Sequence, residues 1–586
     1  MQWKNKVSVV LISTILILVS SSSLVLASNN HNYTNIGILS SPPPGPIRNV
    51  AEFERMEGVL IRYPFGISYQ IIAEMSEDVI VTTIVGSESE KNNVISQYQS
   101  HGVFLGNCEF LIAPSNTYWT RDYGPWFIFN GEDELGVVDF NYNRPRPNDN
   151  AIPSVFATDQ GISYYYMPID HTGGNYMTDG HGISVSTDLV WSENPGYSHE
   201  EIDELVNDYL GIDTYHVVPD VLNEYILHID CWAKFLSPDT IMIIEVPHSH
   251  SQYDEIEEAV QYFENQTCCY GTSYQIERVY APNGESYINC LILNDKVLVP
   301  TGGSTWDDEA IESYENAMPG YEVLGFTGSW ASTDALHCRT KGIPDRHMLY
   351  IEHNPLYGIQ NGTNGIEIEA KIIPYSGEDL VDDTTCVYWQ ENDGEWNSVD
   401  MNPIGNDYYK AVIYPEQDGA NVNYYIQAND ESGRIEYHPF IGEPDPHSFI
   451  VEISSTNSPP EKPDKPSGET SGEAGINYNY STSTNDPDAD QVYYKWDWGD
   501  GSYSDWLGPF NSDETAEANH TWGEKGTYSI MVKAKDAKDE ESEWSDPLSV
   551  TMPKVKNSYF YLFSIFQQLL YKLKIVLNHL IVYYGG

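Results

Sequence analysis

The chain has 586 residues, enough for several domains. Its 87 Asp and Glu against 29 Lys and Arg give a formal net charge of -58, which excludes a nucleic-acid-binding surface and an electrostatic preference for anionic headgroups over most of its length. Such a surface suits solubility first and cationic ligands, guanidinium groups among them, second.

The first 27 residues read as an export signal. Lys4 and Lys6 precede an apolar stretch from Val7 to about Val19, and small residues lead to Val25-Leu26-Ala27. This apolar run is short for a membrane span. The expectation is an extracellular or cell-surface protein. The seven cysteines are an odd number with no CxxC spacing, so at least one thiol stays unpaired within the chain and a zinc ribbon is not expected.

From residue 45 to 355 the pattern repeats. Strand-like runs begin at 77 ("EDVIVTTIV"), 133, 186, 239 and 294, spaced 53 to 56 residues apart. Most are followed by a helix-like stretch such as "SHEEIDELVNDYL", and each by a second strand; the helix of the second unit is poorly marked. Five strand–helix–strand units at a fixed period predict a closed ring with fivefold pseudo-symmetry, which removes sheet edges. A polar segment follows each second strand, and equivalent positions in a ring converge on its axis. Asp122, Asp179, His228, Asp230, Asn289 and Cys338 are therefore expected to share one central site.

Residues 358–455 carry short alternating runs separated by turn signals, as in a small Ig-like β-sandwich. A Pro- and Ser-rich linker is expected at 456–472, and a further PKD-like β-sandwich at 473–553. Within it Asp486, Asp488 and Asp490 could hold calcium or form a solvated acidic turn. The tail, 554–586, has four lysines and no carboxylate side chain among many large apolar residues. It reads either as an amphipathic segment lying on a surface or as a helix docked on another domain.

The expected central site holds carboxylates, a His, a Cys and an Asn. A thiolate beside carboxylates is disfavoured unless a cation stands between them. A bound guanidinium resolves this: its forked donors fit Asp122 and Asp230, and Trp119 can pack along it. Cys338 then attacks the guanidinium carbon, and His228 serves as acid and then base, with no metal or organic cofactor. His228 and Asp230 would lie on one face of a strand, and His337 and Cys338 would point apart on an extended chain. Arg121 reads as a partner in a structural ion pair, and Arg339 and Lys341 either bias the thiolate or are solvated.

The segments "WTRDYGPW", "HTGGNYMTDGHG", "HIDCWAKF" and "ALHCRTKGIP" together resemble the agmatine deiminase and bacterial (Porphyromonas-type) peptidylarginine deiminase family of the pentein superfamily. The resemblance implies a five-bladed α/β-propeller with Cys338 as nucleophile, His228 as acid/base, Asp122 and Asp230 on the guanidinium, and Asn289 completing the site. It also implies that Arg144 and Arg146 hold the α-carboxylate of a C-terminal arginine. The expected partner is then an arginine-containing peptide or protein, with agmatine the alternative substrate and a non-catalytic surface-binding protein a third reading. Cell-surface association would run through the β domains or the tail.

Overall fold

The structure is a computed structural model that describes residues 41–381, 383–453, 457–554 and 566–574. The expected export signal at 1–27 lies outside the described residues, as does most of the tail. Within the tail only the helix at 566–574 is described, and its side chains are exposed. No helix among the described residues is long and apolar enough to cross a membrane. The chain divides into two compact units. The first takes in the residues up to 357 together with 367–413 and 422–448; the second takes in 358–366, 414–421 and 449 onward.

Within the first unit, residues 48–344 build five small sheets, each holding a parallel pair of strands joined through a helix; in the sheet of Ile80–Val85 the strand Met56–Arg62 adds a second parallel pairing. The pairs are Ile80–Val85 with Cys108–Ile112, Leu135–Tyr142 with Ser163–His171, Ile183–Thr187 with Thr214–Val218, Thr240–Glu245 with Gln275–Tyr280, and Lys296–Thr301 with Glu322–Thr327. A helix crosses between the members of every pair, as parallel strands require. The weakly marked second helix is Ile152–Gln160, which starts on Pro153 and stops at Gly161 with φ 66°. The better marked helix His199–Leu210 opens on a capping box, Ser198 with Glu201, and buries Ile202, Val206, Tyr209 and Leu210 on one face. Lys341–Pro344 pairs antiparallel with Met56–Arg62, so the end of this region returns to the sheet near its beginning.

The first strands of the pairs, Ile80–Val85 and Thr240–Glu245 for example, are largely buried, whereas the second strands, Cys108–Ile112 and Glu322–Thr327 for example, are partly exposed and lead into the loops that carry the site residues. The loops themselves are tight. Thr120–Tyr123 is one turn of α-helix, and Gly173–Asn175, Ile229–Cys231 and His337–Arg339 are each one 3-10 turn. Two expectations change here. His228-Ile229-Asp230 is not a strand, and His337-Cys338 is not extended chain; both are turns, so strand alternation does not set their directions.

Two further sheets follow in the same unit. Leu349–Glu352, Ile366–Pro374, Tyr408–Ile413 and Asn402–Gly405 form one; Cys386–Glu391, Asn397–Asp400, Asn421–Asn429 and Ile435–His438 belong to the other. These sheets are tied to the preceding region by a part-buried fork. Arg55 donates through Nε and an Nη to the two carboxylate oxygens of Glu436 at 2.7 and 3.0 Å.

The second unit holds a β module around Trp496, Trp522, Tyr480 and Tyr494. The expected linker is largely part of it. Glu461 N donates to Asn485 O and Asp464 N to Ser483 O, and Ser467–Gly468 and Ser471–Glu473 are short strands of its sheets. Proline removes donors but leaves carbonyls and the intervening N–H groups free to pair, so a Pro-rich composition did not keep this stretch unstructured. Asp486, Asp488 and Asp490 cluster with ligand atoms within 4.8 Å of one another, and Lys538 pairs with Asp490 at 2.8 Å.

Candidate active site

The four turns pack together and bring their polar side chains to one buried place. Cys338 and His228 are each 1 % exposed, Asp230 4 % and Asp122 5 %. Gly174 shows how closely they converge. A methyl group placed on its Cα would stand 2.5 Å from His228 Nδ1, 2.8 Å from Asp122 Oδ1 and 3.2 Å from Asp230 Oδ2. The absence of a side chain at 174 is what leaves room between these three groups. Cys338 Sγ lies 3.8 Å from Asp230 Oδ2.

This place is polar. Asp122 Oδ1 and both ring nitrogens of His228 are buried and have no hydrogen-bond partner, and His228 Nδ1 stands 3.7 Å from Asp122 Oδ1, too far to bond. Buried polar atoms are ordinarily paired, so the set is arranged for a ligand that brings donors. Burial, reinforced by Asp230, pushes the Asp122 carboxyl up to about 8. Burial pushes His228 down to about 4 against the pull of Asp230. The Cys338 thiol is driven well above its ordinary value by burial and then by Asp230 and Asp122. In the empty site these three are therefore neutral at pH 7. Burial also works to raise Asp230, but the His337 hydrogen bond and charge outweigh it, and this carboxylate stays below its ordinary value. A cation placed among Asp122, Asp230 and Cys338 would reverse the two upward shifts.

Asn289 sits behind this group. Its Oδ1 accepts from Cys338 N at 3.2 Å and its Nδ2 donates to Asp230 O at 3.1 Å. It braces the backbones of Cys338 and Asp230 and keeps a second N–H and a second lone pair. Arg144 and Arg146 line an open pocket with Tyr142, Asp170 and Glu193. Arg144 lies 3.7 Å from Glu193, and Arg146 donates to Tyr142 Oη at 2.9 Å. Both arginines are near enough to Asp122 to pull its carboxyl downward.

Three expectations are corrected. Trp119 carries Arg146 on one face, with the guanidinium carbon 4.4 Å from its ring centroid, so that face is not available to a substrate. Asp179 does not join the group. Its Oδ1 accepts from His181 N and Ile183 N, closing a turn, and the charge it carries is felt by Cys269 and Tyr274. Arg339 is neither solvated nor aimed at the thiol, since it forks onto Asp334 and donates to Gly66 O. Lys341 is half-buried, and desolvation with Arg121 lowers it to about 7. All seven cysteines are unbonded. Residues the motifs did not single out are Glu52, His337 and Gly174. Their signal is spatial: a carboxylate beyond the repeats, a His beside the Cys, and the second of two adjacent glycines.

The family model for Porphyromonas-type peptidyl-arginine deiminases matches residues 48–344, half of the chain and all of the site. The chain belongs to that family. This deiminase-family chain is 27 % identical over 267 residues to a Legionella pneumophila (strain Philadelphia 1) protein described as "Putative agmatine deiminase", covering 42 % of this chain and 77 % of that one. The agmatine deiminase of Enterococcus faecalis aligns in structure over 51 % of this chain and 96 % of its own, with 21 % identity and a TM-score of 0.46. A PKD-domain model matches residues 457–552. The PKD domain of an M14-like peptidase from Thermoplasmatales archaeon SCGC AB-540-F20 is 45 % identical over 17 % of this chain and its own whole length, with a TM-score of 0.16. The deiminase family hydrolyses guanidino groups, and this chain is an amidine hydrolase of that kind.

Proposed function

We propose that the protein deiminates the guanidino group of peptidyl arginine, with a C-terminal arginine the preferred form, to citrulline and ammonia. The observation that carries the deiminase reading is the convergence of Asp122, Asp230, His228 and Cys338 around Gly174. A guanidinium supplies what these groups lack: several N–H donors for the carboxylates and a positive carbon facing the thiol.

The steps follow from the charges. Binding of the cation favours ionised Asp122 and the Cys338 thiolate. The thiol proton passes to His228, which is neutral in the empty site. Cys338 Sγ bonds to the guanidinium carbon, and the C=N electron pair moves onto nitrogen. His228 then gives its proton to a terminal nitrogen, the C–N bond breaks, and ammonia leaves a thiouronium on Cys338. Neutral His228 next takes a proton from water as its oxygen bonds to the carbon. The C–S bond breaks, the thiol recovers a proton, and the ureido product departs. Asn289 holds Cys338 and Asp230 in register throughout. These steps require no metal or cofactor.

The two-arginine pocket supports the peptidyl substrate, because a carboxylate fits between forked donors and agmatine has none. Agmatine is the second reading, favoured by the relatives described as agmatine deiminases. We further propose that residues 45–355 close into a five-bladed propeller, supported by the five sheets and the return of Lys341–Pro344. Export by residues 1–27 fits an extracellular peptide substrate. The deciding assay compares ammonia and citrulline release from a peptide ending in Arg, one with internal Arg, free arginine and agmatine. Turnover of agmatine alone would replace the peptidyl reading with the second one.

A further inference from the structure

Beneath the catalytic group lies a second buried layer centred on one side chain. Glu52 comes from the segment between Arg48–Asn49 and the strand Met56–Arg62 and belongs to none of the four motifs. Its Oε2 meets Arg121 at 2.6 Å and His337 Nε2 at 2.6 Å. Its Oε1 accepts from Lys234 Nζ at 2.7 Å and from Ile292 N at 3.2 Å. Arg121 is the neighbour of Asp122 and His337 the neighbour of Cys338. Lys234 is the middle residue of the short strand Ala233–Phe235 that follows Asp230, and Ile292 lies three residues beyond Asn289. One carboxylate thus touches every segment that supplies a group to the site.

We propose that Glu52 is the positioning residue of this active site, acting on Asp230 through His337. His337 Nδ1 lies 2.7 Å from Asp230 Oδ2, so its imidazole bridges two carboxylates with both nitrogens. Each nitrogen must carry a proton to bond a carboxylate oxygen, so the bridge is an imidazolium. Burial, Arg121 and Lys234 pull the imidazole below its ordinary value and outweigh the pull of Glu52 and Asp230, so the charged form stands on the two short carboxylate contacts alone. Without Glu52 that form loses one of its two supports, and nothing fixes the remaining His337 proton on Nδ1, where it faces Asp230 Oδ2. Arg121 adds a second link by donating from Nε to His337 O at 3.4 Å.

This inference rests on the reading of Asp122 and Asp230 as the guanidinium-binding pair, and its test does not depend on turnover. The full-length protein is treated with 2-chloroacetamidine, whose amidinium is cationic, and separately with neutral iodoacetamide. The alkylation rate at Cys338 is read by peptide mass spectrometry for each. The wild type should prefer the cationic reagent. Glu52→Gln should lower that preference at least tenfold, Glu52→Asp should restore part of it, and in turnover kcat should fall more than KM rises. Glu52→Gln removes the counter-charge of Arg121 and Lys234, so folding is checked by melting. If it does not fold, His337→Gln keeps that counter-charge and should lower the same preference. A folded variant of either kind with the wild-type preference overturns the proposal. A wild type that alkylates with the cationic preference but turns over no guanidino substrate overturns the functional reading and leaves the Glu52 role standing.

Discussion

At the residue scale the account turns on space and charge around Gly174. A Gly174→Ala change puts a methyl group where the substrate nitrogens must lie, within 3 Å of His228 Nδ1 and Asp122 Oδ1. We expect kcat/KM to fall by about 100-fold or more, equivalent to ~2.7 kcal/mol, with little change in melting temperature. An unchanged kcat/KM would place the substrate elsewhere. Asp122 gives a pH prediction. Its carboxyl is held up to about 8 by burial and Asp230, so at pH 7 the empty site must lose a proton to bind a cation. KM should therefore fall as pH rises from 6 toward 8, and binding of an amidinium inhibitor in weak buffer at pH 7 should release protons. A KM that rises over that range would contradict the assignment. The residues that carry this chemistry stand inside motifs whose types are distinctive: Cys338, His228, Asp122 and Asp230 could be read directly. Glu52 and His337 could not, because what marks them is a distance between segments far apart in the chain.

At the element scale, short turns do what longer elements would not. A single 3-10 turn sends successive side chains outward in different directions, so His337 reaches Asp230 and Glu52 while Cys338 keeps its thiol in the site. Three residues have no periodicity, which is why the sequence suggests strands there and the structure has turns. The five strand–helix–strand units were legible because a 53 to 56 residue period repeats over long apolar runs. The join to the two sheets that follow was not, since it is made by single contacts between distant segments: Arg55 with Glu436, Phe129 stacked on Tyr375 and Phe53 against Phe440. Arg55→Ala should leave the Glu436 carboxylate buried without its fork and cost on the order of 3–5 kcal/mol; melting of the variant checks this, and loss below ~1 kcal/mol would mean that water reaches Glu436. His353, buried between Glu369 O and Tyr424 Oη, is pushed down to about 4 by burial. The unfolded chain binds that proton near pH 6.5 and the folded one does not, so the group destabilises the fold progressively as pH drops from 6.5 to about 4, by on the order of 3 kcal/mol. Replacing it by Gln should make the melting temperature less sensitive to acid over that window; an unaltered slope would show that His353 is not held neutral.

At the scale of the whole molecule, every residue of the candidate site belongs to the first compact unit, and the PKD-like module belongs to the second. A chain ending at Ile453 should keep the full kcat/KM on small arginine peptides. A large loss would show that the module contributes to catalysis. The Pro-rich stretch before the module was misjudged as a linker because composition reports on missing donors and not on the carbonyls and remaining N–H groups that pair along 482–485. The acidic surface, with a net charge of -58, fits attraction of cationic peptides toward a site whose own base is two carboxylates.

The central claim is covalent chemistry at Cys338 on a guanidinium carbon. The most direct measurement is an acid quench of the enzyme during turnover of a peptide ending in arginine, followed by mass spectrometry of the fragment containing residue 338. The account predicts that Cys338 carries the substrate less one ammonia, and that Cys338→Ala neither forms the adduct nor releases citrulline. Citrulline release by Cys338→Ala would contradict it.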